Sequence, residues 1–262
     1  MPGACLPDLV IALDASGSVQ QSNFDITMEF LHAIVAGLPV APDGVHVAGM
    51  MFHSKPLPQF LFDQGTTEAD VNAALDAFVY PTDKLHGTAI GLALDHITNT
   101  ILQQSSGARP DSPTMVFILT DGKSQEPDAV VAAAAQRLRD TGAIIIALGI
   151  TPAVDVQQLI TIAGNPGQVI LRDDFSQLVR TVGCDVSVLC WHVLLLVMAH
   201  DQPLFGSYAA ISLFLCVILN ENGRCIKVEI IKRLASFVGA KPWRPIPMIV
   251  VAKPPVRFVS CD

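Results

Sequence analysis

Short, continuously apolar runs alternate with segments of helical periodicity along this 262-residue chain, and that alternation constrains its fold more than any other feature. The apolar runs are residues 9–13, 45–52, 114–119 and 143–148. Runs of this length without polar alternation are typical of strands that are buried on both faces of a parallel sheet. The segments between them are long enough for right-handed crossover helices. The pattern predicts an α/β fold with a doubly wound, mainly parallel sheet and helices on both faces.

The connecting segments carry signals for where each helix starts. Ser22 with Asp25, and Thr67 with Asp70, each resemble a capping box. Prolines at positions 56 and 58 predict that residues 56–62 form an edge strand, because proline is tolerated at the edge of a sheet. Residues 168–171 are a last strand candidate. Further helices are predicted from Thr88 to residue 101 and over residues 127–140, 155–163 and 174–182.

The first apolar run ends in an acidic side chain and two hydroxyls, Asp14, Ser16 and Ser18. A carboxylate that is buried without a partner is costly, so either this loop is solvated or its oxygens hold something. Three hard oxygen donors on one turn suit a small cation such as Mg²⁺ or Mn²⁺. The alternative is a helix N-cap, in which the side chains accept backbone N–H groups and do nothing more.

Two other loops carry oxygen ligands at equivalent places. Thr88 follows Gly87 at the start of a predicted helix, and Asp121 follows the apolar run 114–119. In doubly wound sheets, ligands lie at the carboxyl ends of the strands, where Asp14 and Asp121 both fall. Because a cap needs no partner from another loop and an octahedral cation does, the combination favours a metal site.

The set Asp14-x-Ser16-x-Ser18, Thr88 after Gly87, and Thr120-Asp121-Gly122 resembles the von Willebrand factor type A domain, in the branch found in extracellular matrix proteins and collagens. The resemblance covers about residues 5–184. It implies a doubly wound α/β fold with a metal-ion-dependent adhesion site for Mg²⁺ or Mn²⁺. Ser16, Ser18 and Thr88 would bind the ion directly. Asp14 and Asp121 would act through water, or directly in the other conformation of the site, and an acidic group of a protein ligand would complete the shell.

Charge divides the chain into two unlike parts. Residues 1–185 hold 20 acidic against 8 basic side chains, whereas residues 186–262 hold 4 against 8. An acidic domain argues against nucleic acid as a partner, because phosphate binding needs clustered cations.

Cys5 and Cys184 bracket the acidic part, with no cysteine between them. In an extracellular protein this pair would close the ends of the domain, whereas in a cytosolic protein both thiols would stay reduced. Bracketing cysteines also occur in the extracellular relatives, so the resemblance implies a Cys5–Cys184 disulfide and a secreted protein. The pairing of Cys190, Cys216, Cys225 and Cys261 stays open. The first residues lack the features of a signal peptide, which counts against secretion unless the chain is a fragment.

The segment 185–262 matches nothing in the family. Residues 204–219 form an uncharged stretch slightly shorter than a membrane span, and basic residues follow it. Three interpretations stay open: a single-pass membrane anchor with the type A domain outside, a chain end that is not a normal structural element, and a small buried appendage.

The sequence therefore predicts a non-enzymatic, cation-dependent adhesion module whose partner is a protein such as collagen or a cell-surface receptor. An intracellular type A assembly factor for a large complex or an ATPase is the alternative. A hydrolase is disfavoured because no Gly-x-Ser-x-Gly elbow surrounds Ser16 or Ser18. A zinc site is disfavoured because His46 and His53 have no partner at zinc spacing.

Overall fold

The computed structural model of the chain describes residues 6–82 and 87–178. Within them, six strands form one sheet. The strands are β1 (Asp8–Asp14), β2 (His46–Phe52), β3 (Pro56–Phe60), β4 (Thr114–Thr120), β5 (Ile144–Ile150) and β6 (Val169–Arg172). Their order in the sheet is β3-β2-β1-β4-β5-β6. All neighbouring strands run parallel except β2 and β3, which are antiparallel. The predicted doubly wound α/β fold is confirmed.

Helices cover both faces of the sheet. One face packs against α1 (Gln21–Gly37) and α2 (Glu68–Asp76), and the other against α3 (Ile90–His96), α4 (Asp128–Asp140) and α5 (Val156–Ala163). A π-helical segment, Ile97–Ile101, continues α3. Short 3₁₀ turns lie at Phe62–Gln64, Gln104–Ser106 and Pro166–Gln168.

The central strand β1 shows why its sequence is apolar throughout. Leu9, Ile11 and Leu13 face the core that contains α1 and α2, while Val10 and Ala12 face the core of α3, α4 and α5. Every residue of β1 is buried. A strand that lies between two cores has no solvent side, so it shows no polar alternation.

A buried ion pair fixes the end of the sheet where β1 begins. The Arg109 guanidinium donates from Nε to Oδ1 of Asp8 at 2.7 Å, and the Arg109 backbone N–H donates to Oδ2 at 2.8 Å. The guanidinium also donates to the carbonyl oxygens of Gly44 and Leu6. These bonds satisfy a carboxylate that is only 1% exposed.

Several predicted boundaries needed correction. The Ser22–Asp25 capping box is wrong, because α1 begins at Gln21 and no side chain caps it. The capping box at Thr67 is confirmed, since the Thr67 side chain accepts from the Asp70 N–H. Strand β3 ends at Phe60, where a 3₁₀ turn replaces the predicted last residues, and α3 begins at Ile90, two residues after Thr88.

Some predictions lie outside the described residues. They concern Cys5, Cys184, the segment 204–219 and most of the helix predicted over residues 174–182. Within residues 6–82 and 87–178, no helix combines the length and apolar character that crossing a membrane requires.

Candidate metal centre

The candidate centre lies at the carboxyl ends of β1 and β4, two strands that pair in parallel. Asp14 is the last residue of β1 and Thr120 is the last residue of β4. Their strands pair as far as Leu13 and Leu119, so the two side chains that follow lie next to each other. The Thr120 hydroxyl donates to Oδ2 of Asp14 at 2.7 Å, while the Ser16 N–H donates to Oδ1 at 2.8 Å. Both carboxylate oxygens of Asp14 therefore have protein donors.

The electrostatic environment of Asp14 disfavours its charge. Burial, and to a lesser extent the nearby Asp121 carboxylate, raise the pKa of Asp14 to about 7, although the hydrogen bonds from Thr120 and Ser16 oppose this shift. Burial also raises the pKa of Asp121, against the hydrogen bond from Ser18. A cation beside these two carboxylates would stabilise their ionised forms and so lower both pKa values.

A chain of hydrogen-bonded oxygens connects the first loop with the third. The hydroxyls of Ser16 and Ser18 lie 3.0 Å apart, and the Ser18 hydroxyl donates to Oδ1 of Asp121 at 2.8 Å. The structure thus brings four of the five predicted residues, Asp14, Ser16, Ser18 and Asp121, into one cluster.

The backbone of Thr88 is hydrogen-bonded to the loop that follows β4 at this edge of the sheet. Its carbonyl oxygen accepts from the Gln125 N–H at 2.9 Å and from the Ser124 hydroxyl at 3.0 Å, both on the loop that begins at Asp121. Thr88 is buried. The described contacts therefore tie Thr88 to the Asp121 loop, and they do not include a hydrogen bond from its hydroxyl to Ser16 or Ser18.

The donor chemistry of the five residues fits Mg²⁺ or Mn²⁺. Two carboxylates and three hydroxyls supply only hard oxygen atoms, which these cations prefer over nitrogen and sulfur. In the described part of the chain, no group of three or more His, Cys, Asp or Glu side chains is arranged to hold a metal ion, and the candidate centre itself has two carboxylates beside its hydroxyls.

The chain matches the model of a known domain family over about two thirds of its length. Residues 8–182 match the von Willebrand factor type A domain. The chain belongs to this family. Among its relatives, matrilin-4 of Mus musculus is 34% identical over 174 residues, which cover 64% of this chain and 27% of matrilin-4. The collagen alpha-1(XX) chain of Homo sapiens is 31% identical over 192 residues, or 71% of this chain and 14% of the collagen chain. The relatives of this type A domain thus include a matrilin and a collagen chain.

A solved structure shows the same fold as this type A domain. Proximal thread matrix protein 1 from the mussel byssus superposes with a TM-score of 0.64 at 22% identity, over 71% of this chain and 49% of that protein. A second structure of the same protein is described as having a zinc-occupied MIDAS motif, the metal-ion-dependent adhesion site. The chain spans only 14 to 27% of the matrilin and collagen relatives named above.

The contacts that Tyr80 makes with the loop after β1 were not predicted from the sequence. The Tyr80 hydroxyl donates to the Ser16 carbonyl oxygen at 2.9 Å and accepts from the Gln20 N–H at 3.2 Å. Its ring packs against Phe24, with the ring centres 5.5 Å apart. The Tyr80 hydroxyl is protonated at neutral pH, and burial raises its pKa further above the usual range. In the sequence, Tyr80 followed by Pro81 indicates only the end of a helix.

Proposed function

We propose that this type A domain binds a protein ligand through a divalent cation, Mg²⁺ or Mn²⁺, held by Asp14, Ser16, Ser18, Thr88 and Asp121. The observation that carries the proposal is the oxygen chain from Ser16 through Ser18 to Asp121, which joins two loops by hydrogen bonds of 3.0 and 2.8 Å. An ion held here would take the place of these hydrogen bonds by binding lone pairs of the hydroxyl oxygens, which would keep their protons.

In this proposal the hydroxyl and carboxylate residues have different roles. The hydroxyls of Ser16, Ser18 and Thr88 would hold the ion directly, and Asp14 and Asp121 would act through water, or directly in the other conformation of the site. Asp14 accepts from Ser16 and Thr120, so it orients the loop and supplies buried negative charge. A bound cation supplies the positive charge that attracts an acidic oxygen of the ligand. Because few carboxylates neutralise the ion, it retains affinity for a further carboxylate.

The relatives support the choice of partner. Matrilins and collagen chains are among them. We infer that the ligand is an extracellular protein with an exposed Asp or Glu, such as collagen or a cell-surface receptor, and that the site performs no catalysis. The mussel matrix protein with a zinc-occupied motif supports a divalent ion at this position of the fold.

The wider organisation of the chain belongs to the same proposal. Residues 5–184 form the type A domain, closed by a Cys5–Cys184 disulfide, in a protein located outside the cell. The segment 185–262 is a separate tail in this proposal, and any association with a membrane would be through this tail.

The test is adhesion of the 262-residue chain to immobilised fibrillar collagen and to a cell surface, in Mg²⁺ and in EDTA. We expect binding in Mg²⁺ that EDTA abolishes and that Asp121→Ala and Thr88→Ala remove. Asp76→Ala, which removes an exposed carboxylate from α2, is the matched control and retains binding. Undiminished adhesion in EDTA would show the proposal to be wrong.

A further inference from the structure

The first turn of α3 is capped by a different loop of the chain. Its own N-cap residue, Ala89, has no side chain that can accept a hydrogen bond. The first N–H groups of a helix need partners from outside it, and here Ser124 and Glu126 on the β4–α4 loop provide them. The bonds run from Ile90 N–H to the Ser124 hydroxyl (3.3 Å), from Gly91 N–H to Oε2 of Glu126 (2.5 Å) and from Leu92 N–H to Oε1 of Glu126 (3.2 Å).

The same loop holds the segment before the helix. Ser124 lies with its hydroxyl 3.0 Å from the carbonyl oxygen of Thr88 and 3.1 Å from Oε2 of Glu126. The Ser124 backbone is fixed in turn, because its N–H donates at 2.8 Å to the buried side chain of Gln158 on α5. Thr88 and Asp121 therefore keep their separation through Ser124 and Glu126.

We propose that Glu126 is a positioning residue of the metal centre. By capping α3 with both carboxylate oxygens, it fixes Thr88 relative to Asp121 while remaining outside the set of ligands. This inference rests on the proposed function. Outer residues that orient metal ligands typically change metal affinity by about 10- to 100-fold when they are replaced.

Two other roles of Glu126 would give different effects of substitution on Mn²⁺ affinity. Glu126 would act only by charge if its carboxylate attracted the cation from a distance, and only as a cap if it stabilised α3 without affecting Thr88. Gly91 separates these roles, because a Cβ at this position would lie 2.9 and 3.0 Å from the Glu126 carboxylate oxygens. Gly91→Ala therefore displaces the carboxylate but keeps its charge, and alanine favours the helix more than glycine does.

The experiment titrates Mn²⁺ into the 262-residue chain by calorimetry and records thermal unfolding of the same samples. The variants are Glu126→Gln, which removes the charge and one acceptor, and Gly91→Ala. Thr67→Ala is the matched control, because it removes the cap of α2. That cap lies close to Gly65, whose carbonyl oxygen accepts from Val47 near the start of β2, at the edge opposite the metal loops.

We expect the Mn²⁺ dissociation constant to rise about tenfold or more in both Glu126→Gln and Gly91→Ala and to stay unchanged in Thr67→Ala. Weakening in Glu126→Gln alone would show that charge is responsible, and unchanged affinity in both variants would leave Glu126 as a simple cap. Either result overturns the inference while the metal site stands. If the unsubstituted chain does not bind Mn²⁺, the proposed function itself fails and the inference fails with it.

Discussion

At the scale of single residues, the buried carboxylate of Asp14 makes the metal-free domain sensitive to pH. Its pKa is raised from 3.8 to about 7, so the folded state binds a proton more tightly than the unfolded state does. Ionising Asp14 therefore costs stability, a cost that is absent below about pH 4 and complete above pH 7. A bound cation would offset that cost.

We predict that Asp14→Asn loses this pH dependence. In EDTA, the unfolding midpoint of the unsubstituted chain should fall relative to that of the variant as pH rises from 5 to 8, by at least about 4 °C. Differential scanning calorimetry of both proteins at each pH measures the difference, which removes the contribution of all other groups. A difference that is constant between pH 5 and 8 contradicts the prediction.

Tyr80 offers a second test at this scale. Tyr80→Phe keeps the ring beside Phe24 and removes the hydroxyl that joins the Ser16 carbonyl oxygen to the Gln20 N–H. We expect a loss of about 1 kcal/mol in the free energy of unfolding and weaker Mn²⁺ binding, because the loop that carries Ser16 and Ser18 is less constrained. Denaturant titration and calorimetry measure the two effects. Unchanged values for both would mean that the hydroxyl is not needed to hold the loop.

The sequence predicted the clustered oxygen ligands but not the contacts of Tyr80, for a physical reason. Asp14, Ser16, Ser18 and Asp121 meet because parallel strands bring their carboxyl ends to one edge, which strand order and spacing already imply. The contacts of Tyr80 depend on where α2 ends in space, about 60 residues from the loop that it supports, and a single sequence gives no signal for such a contact.

At the scale of elements, the start of α1 is strained. Its N-cap residue, Gln20, has φ 65° and ψ 156°, a conformation that is almost restricted to glycine, and it is an exposed side chain. The local sequence predicted a cap at Ser22, but the helix begins at Gln21, shortly after the loop that carries Ser16 and Ser18. Thr67 caps α2 as predicted, since no such loop precedes it.

We predict that Gln20→Gly raises the free energy of unfolding by about 1 kcal/mol, because glycine adopts the positive φ without strain. Gln21→Gly, one residue further on and inside α1, is the matched control and should lower it by a similar amount. Urea titrations of the two variants compare them directly. A loss of stability in both would show that Gln20 is not strained.

At the scale of the whole molecule, a cation that binds the folded state should stabilise the entire domain. We predict that 5 mM Mg²⁺ raises the unfolding midpoint over that in EDTA, since binding at 100 times the dissociation constant contributes about 2.7 kcal/mol. Asp121→Ala should show no such rise, whereas Asp76→Ala should keep it. A thermal shift assay over a range of Mg²⁺ concentrations measures the effect, and equal midpoints in Mg²⁺ and EDTA would contradict it.

The fold could be predicted from the sequence because the sheet has a hydrophobic core on each of its two faces. Each central strand must bury both faces, so continuous apolar runs of five to eight residues identify the strands without an alternating pattern. The edge position of β3 followed from its prolines, whereas its antiparallel pairing with β2 was not predicted. Helix boundaries were less predictable because capping depends on neighbours that are distant in sequence, as Glu126 shows for α3.

The position of β1 also has a mechanical consequence. A force applied to the chain before Asp8 acts on the middle of the sheet. There β1 is hydrogen-bonded along its length to parallel strands on both sides. Such a load acts along the strand, so its hydrogen bonds resist together in shear rather than opening one after another like a zipper. The Arg109–Asp8 ion pair stands at the point where the force arrives. The proposed Cys5–Cys184 disulfide would carry tension between the two ends of the domain, and the shear geometry of β1 would hold the candidate site in shape where that bond is reduced.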